Sequence, residues 1–210
     1  MPSAGGKVLR VLMSTYEPEQ TAMFEQCLKA GDVFLDVGAH VGYYTLISSR
    51  AVGVRGRVVA FEPEPKNLVY LKEHVHLNQC SNVTVVATAV GRERGMASFE
   101  YGTGTGTGRV VPGLNGSGSF QVPVISLDEF CEKNNLIPQG IKMDIEGGEI
   151  AALAGAKRVL ERSRPIIFLS THGPKIHQEC MSFLKSSGYA FKAINGGGVD
   201  QATELFCFKW

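Results

Sequence analysis

The chain has 210 residues, 44% of them hydrophobic and 20% charged, with 21 basic and 20 acidic side chains. That length suits a single domain, 1–210, able to bury a substantial core. The balanced charge offers neither the basic stripe of a nucleic-acid binder nor the polybasic run of a membrane-surface protein.

Residues 1–16 are a lead-in whose KVLRVLM segment suits a short strand or part of a substrate-side flap. From residue 17 the pattern is helical, with Met23, Phe24, Cys27 and Leu28 as one stripe and Gly31 placed to stop it. The run VFLDVGAHVG at 33–42 reads as a strand ending at Asp36, a tight turn with Gly38 and Gly42, and the start of a helix. That helix shows Val41, Tyr44, Ile47 and Ala51 on one face. RVVAFEP at 57–63 is a second strand, its continuous apolar run typical of a parallel strand covered on both sides. Pro65 with Leu68, Leu71 and Val75 marks a helix ending near Asn78, and VTVVATAV at 83–90 is a third strand. The β-α-β-α-β order is half of a doubly wound sheet.

The alternation then breaks. Residues 96–125 read as a β-hairpin excursion carrying a mobile Gly-rich loop, either a solvated tip or a substrate-side lid. The rhythm resumes at Gly140 with the strand IKMDIE, and a helix follows over GGEIAALAGAKRVLER with Ile150, Leu153, Ala156 and Leu160 inward. Next come the strand PIIFLSTHG, a helix with Ile176, Cys180, Phe183 and Leu184, and a closing pair of strands about Gly196–Gly198. These elements make an α/β protein with a mostly parallel seven-stranded sheet and an antiparallel last strand.

The five cysteines, Cys27, Cys80, Cys131, Cys180 and Cys207, form no CxxC or Cys/His cluster, so neither a structural zinc site nor a disulfide framework is expected. There is no apolar run of membrane-spanning length and no sustained apolar signal core, which suits a soluble, cytoplasmic protein. Trp210 suits an apolar plug on the last strand.

In an open parallel sheet, ligands sit beyond the carboxyl ends of the strands at the switch point. Glu62 ends the second strand twenty residues after Gly42 and suits a ribose, whose two hydroxyls a carboxylate can accept. The glycine spacing Asp36-x-Gly38-x-x-x-Gly42 differs from the GxGxxG of dinucleotide sites. Asp36 would repel a pyrophosphate but suits a ligand carrying an amino acid ammonium group, which favours S-adenosylmethionine over NAD.

DVGAHVGYYTL, AFEPEPKNLVYLKEHVHLN, TAVG, VPVISLDEF, IKMDIEGGEIAALAGA and PIIF together resemble the FkbM-type S-adenosylmethionine-dependent methyltransferases. The resemblance covers about residues 17–210 and implies the Rossmann-like methyltransferase fold and methylation of a hydroxyl on a small molecule, sugar or natural product. It implies that Asp36, Gly38, Ala39, His40 and Gly42 line the methionine side of the cofactor, with Tyr43 and Thr45 at the helix start. Glu62 would bind the ribose with Asn67 close by, and Thr88, Ala89 and Val90 would edge the adenine. Asp144, Glu146 and Gly147 match the family's acidic stretch. The family commonly carries Asn at the His40 position and Glu at the end of the fifth strand, where this chain has Ser170, Thr171 and His172.

Methyl transfer is an in-line displacement, so alignment of donor and acceptor is the enzyme's main task, and an alcohol also needs a base. His172 is the first candidate, because histidine titrates near neutrality. Lys142 and Asp144 suit an ion pair, with Asp144 holding the acceptor hydroxyl or the cofactor's ammonium. Glu146 and Glu149 equally suit a helix N-terminus. No metal is expected: His74 and His76 are two apart and solvated, and the carboxylates of 144–149 show no second ligand set. The rival functions are an NAD(P)-dependent oxidoreductase, a non-catalytic S-adenosylmethionine-binding module, and methylation of nitrogen on protein or RNA.

Overall fold

A computed structural model describes residues 17–101, 108–111 and 119–209. The lead-in 1–16, the tips of the glycine-rich excursion and Trp210 lie outside them. The first half contains α1 (Pro18–Cys27), β1 (Val33–Val37), α2 (Tyr43–Val52), β2 (Arg57–Phe61), α3 (Pro65–Leu77) and β3 (Val83–Val86). Then come β4 (Ala89–Val90), β5 (Gly95–Glu100), β6 (Arg109–Val111), β7 (Ser119–Ile125) and α4 (Leu127–Lys133). The last third holds β8 (Gly140–Met143), α5 (Glu149–Ala154), α6 (Lys157–Arg162), β9 (Ile166–Ser170), α7 (Pro174–Ser186), β10 (Ala190–Ala193) and β11 (Glu204–Phe208).

Seven of the strands form one sheet in the order β10-β11-β9-β8-β1-β2-β3. β11 runs antiparallel to both neighbours, and the pairs among β9, β8, β1, β2 and β3 are parallel. Alternating side chains feed two cores, as strand geometry requires. Phe34, Val58 and Phe168 pack with Phe24 and Leu28 from the α1 region and Tyr44 and Val52 of α2. Leu35, Val59, Ile141 and Ile167 face the other way, against Leu153, Leu160, Cys180 and Leu184. Each such side chain contributes roughly 1.5–3 kcal/mol by leaving water. Phe24 anchors α1, stacking on Phe168 at 4.0 Å and on Tyr44 at 4.7 Å.

The structure departs from the sequence reading in three elements. The buried face of α2 carries Tyr44, Thr45, Ser48, Ser49 and Val52, while Ile47 and Ala51 of the expected stripe are half-buried against the same core. Small polar side chains let the helix lie close to the sheet, and two of their hydroxyls bond Asp36 and Asn82 at 2.6 Å each. The third strand ends at Val86, and Ala89 and Val90 join β7 in a second sheet ordered β4-β7-β5-β6. The expected hairpin excursion is thus the body of a separate four-stranded sheet, with Ala89, Phe99 and Val122 in its own small core.

Finally, the helix over 149–162 is broken at Gly155. A Cβ on Gly155 would lie 2.1 Å from the Gly91 carbonyl oxygen, so the second sheet is seated on the main body through a contact that only glycine permits. Gly155→Ala should lower the unfolding free energy by about 1–3 kcal/mol in urea titrations, the usual cost of overpacking. Unchanged stability would show that the contact is not tight.

Candidate active site

The chain leaves β1 outward through β2 and β3 and returns on the other side at β8, so the strand order reverses between β1 and β8. A crevice at the carboxyl ends of these strands follows from that reversal. Gly38 sits in it with φ +83°, and a Cβ there would lie 2.0 Å from the Asp144 carbonyl oxygen. Glycine is required on both counts. His40 has φ 52°. Histidine and asparagine tolerate the left-handed region better than most residues, so His40 meets the same backbone need as the Asn common in its place.

Glu62 fixes this turn. It is 4% exposed, and its Oε2 accepts from the His40 amide at 2.8 Å. Its Oε1 accepts from the Glu64 amide at 2.9 Å and from Asn67 Nδ2 at 3.3 Å. Burial pushes the Glu62 carboxyl up, and the two amides and Asn67 oppose that shift.

Beside Glu62 opens a cavity of about 440 Å³, within the range of small-molecule sites. Of the residues singled out in the sequence, Gly38, Ala39, His40, Tyr43, Glu62, Asn67, Thr88, Ala89, Val90, Lys142, Asp144 and Glu146 line it. Met96, Phe99 and Val110 of the second sheet close its outer wall. Asp36, Gly42 and Thr45 do not reach it, which corrects the expectation that they contact a ligand directly. Asp36 is fully buried beneath the turn and accepts from Thr45 Oγ1, while a Cβ on Gly42 would strike Leu71. Burial pushes Asp36 up, and Lys142 opposes it.

Lys142 is 5% exposed and donates to the Gly38 carbonyl at 3.2 Å while pairing with Asp144 Oδ2 at 3.4 Å. Burial pulls its pKa down, but Asp144 and Asp36 outweigh burial and hold it above the ordinary value, so it stays cationic. His172, just past β9, is not among the residues that line the cavity but stands beside two acids that are. Its Nδ1 lies 2.9 Å from Glu149 Oε1, and its Nε2 is 3.5 Å from both Asp144 Oδ1 and Glu146 Oε2. The hydrogen bond to Glu149 and the three nearby carboxylates push it up to about 9, against burial. An imidazole protonated at neutral pH cannot accept a proton, which removes the reason for taking His172 as the base.

Glu149 was legible only as a helix-start acid. Its Oε1 does accept the amides of Ile145 and Gly147, at 3.2 and 3.1 Å, but it also grips His172 from 23 residues away, a partnership without local pattern. His172 with Asp144 and Glu146 makes a group able to hold a metal ion. The second ligand set that the sequence did not show thus comes from the end of β9. His74, expected to be solvated, instead bonds the Val41 carbonyl at 2.6 Å through Nδ1.

Residues 36–191 match the methyltransferase FkbM domain. The chain belongs to the FkbM methyltransferase family. Family members use S-adenosylmethionine as methyl donor, and the FkbM chain has the corresponding Rossmann-like fold. An FkbM methyltransferase from Methylobacillus flagellatus is similar in structure, with a TM-score of 0.63 and 19% identity over 90% of this chain and 50% of that one. The chain therefore spans half the length of that relative. An rRNA methylase from Streptococcus thermophilus gives 0.54 at 9% identity over 90% and 91% of the two chains. Aeropyrum pernix fibrillarin, solved with natively bound S-adenosyl-L-methionine, gives 0.51 at 15% over 90% and 73%. No curated protein matches the sequence. Among the described residues, no helix is long and apolar enough to cross a membrane.

The state of His172 is directly measurable. Its imidazole should titrate with a midpoint of about 9 by NMR in the FkbM protein freed of metal with a chelator, and Glu149→Gln should move that midpoint down. A raised folded-state pKa stabilises fully below the unfolded value of about 6.5 and is lost as pH climbs through the folded one. Unfolding free energy should accordingly decline from pH 7 to 10, and a midpoint near 6.5 would contradict the arrangement.

Proposed function

We propose that this FkbM protein is a cytoplasmic S-adenosylmethionine-dependent O-methyltransferase that methylates a hydroxyl on a small molecule or sugar. The observation that carries the reading is one cavity bordered by Glu62 at the end of β2 and by Asp144 just past β8. Glu62, steadied by Asn67, takes the ribose hydroxyls. Gly38, Ala39, His40 and Tyr43 border the methionine portion, and Thr88, Ala89 and Val90 edge the adenine. Asp36, Thr45 and Gly42 act through the turn they support.

In the reaction the acceptor oxygen forms a bond to the methyl carbon as the carbon–sulfur bond breaks. The bonding pair passes to sulfur, leaving neutral S-adenosylhomocysteine, and the hydroxyl proton passes to the Asp144 carboxylate. Lys142 orients Asp144, and His172 is a positioning residue beside it. Little covalent chemistry falls to the protein, so alignment within the cavity supplies most of the rate. The nearly neutral chain supports a small acceptor over RNA.

Glu62→Ala should weaken S-adenosylhomocysteine binding by more than about tenfold in calorimetry, because hydrogen bonds to a charged group contribute roughly 1.5–3 kcal/mol. Equal affinity would sink the ribose assignment. Cell extract incubated with methyl-labelled cofactor should yield a small labelled ether by mass spectrometry. Label in RNA or protein would overturn the acceptor class, and binding without any labelled product would favour a non-catalytic module.

A further inference from the structure

We infer that Asp144, Glu146 and His172 form a tetrahedral divalent-metal site of the Zn²⁺ class on the acceptor side of the cavity. Their ligand atoms, Oδ1, Oε2 and Nε2, all lie within 4.8 Å of one another. Two of the three spacings suit a tetrahedral ion. Nε2 stands 3.5 Å from each carboxylate oxygen, longer than the roughly 2.7–2.9 Å of a charge-assisted N–H···O bond. A tetrahedral ion with bonds of about 2.1 Å separates its ligand atoms by roughly 3.4 Å. Neighbouring ligands of an octahedral ion at the same bond length would stand only about 3.0 Å apart.

The surroundings are those of a ligating histidine. Such a residue donates its other ring N–H to a carboxylate, which fixes the tautomer and ring orientation. His172 Nδ1 lies 2.9 Å from Glu149, a carboxylate with no solvent exposure whose remaining oxygen finds no hydrogen-bond partner among the described residues. Lys142 pairs with Asp144 Oδ2, and Oδ1 is the oxygen nearer His172. Glu146 is held at φ 53°, a conformation costly for a non-glycine residue and characteristic of functional sites. A proton or an ion, not both, occupies Nε2. Mixed nitrogen and oxygen donors suit Zn²⁺ better than Mg²⁺ or Ca²⁺, which prefer oxygen alone.

Three protein ligands leave a fourth position for water or an acceptor hydroxyl, whose proton a zinc ion makes easier to remove; with Asp144 engaged as a ligand in that form, the proton leaves to solvent rather than to Asp144. That role rests on the methyltransferase reading, whereas metal binding itself does not. The test is equilibrium dialysis of tag-free, chelator-treated protein against Zn²⁺, with folding of each variant followed by circular dichroism. Wild type should bind one equivalent, and its Co²⁺ form should show the visible absorption of a tetrahedral ion. His172→Gln and Glu146→Gln should each weaken binding by more than tenfold. Glu149→Gln keeps all three ligands and should weaken it by about 10- to 100-fold. No stoichiometric zinc in wild type, or undiminished affinity in folded His172→Gln, overturns the site. Should His172→Gln fail to fold, unchanged affinity in Glu149→Gln overturns it instead.

Discussion

A carboxylate taken out of water must find hydrogen-bond donors, and Glu62 finds them in two different turns. Its oxygens accept the His40 amide from the β1–α2 turn and the Glu64 amide and Asn67 side chain from the start of α3. One buried charge therefore fixes two loops at the carboxyl edge of the sheet. The left-handed His40 and the close passage of Gly38 over Asp144 are affordable because this clasp over-determines the turn. Without it, the cofactor side of the cavity would have no fixed floor.

A second group of charges shapes the opposite wall. Lys142 lies in register with Asp36 across β1 and β8, buried on the face that α1 and α2 cover, and reaches Gly38 and Asp144 at the strand ends. Glu149, equally buried, gathers the amides of Ile145 and Gly147 and the ring of His172. These charges cost desolvation energy that the two apolar cores, one on each face of the sheet, must offset. The result is a rigid edge on which pocket groups keep fixed positions. The second sheet completes it, seated against the break at Gly155.

Much of this was legible in the chain itself. The continuous apolar run at β2 and the alternation of strands with amphipathic helices identified a parallel sheet, and the turn with Gly38 and Glu62 located its switch point. The rest depended on partners far apart in sequence. VTVVATAV reads as one strand because nothing local separates Val86 from Ala89; the separation comes from β7, which claims Ala89 and Val90 through Val124 and Ile125. Asp36 and Thr45 look like ligand contacts because they flank the turn, yet they bond each other below it. His172 looks like a near-neutral base until Glu149 is seen beside it. Charge state and metal affinity both follow from that long-range pairing, which no spacing rule encodes.

The decisive measurement is a crystal structure of the chain with S-adenosylhomocysteine. The expected result has both ribose hydroxyls within hydrogen-bond distance of Glu62, the adenine beside Ala89 and Val90, and the sulfur facing Asp144. A ligand seated elsewhere, or a ribose that leaves Glu62 bonded only to His40, Glu64 and Asn67, would contradict the assignment of this cavity.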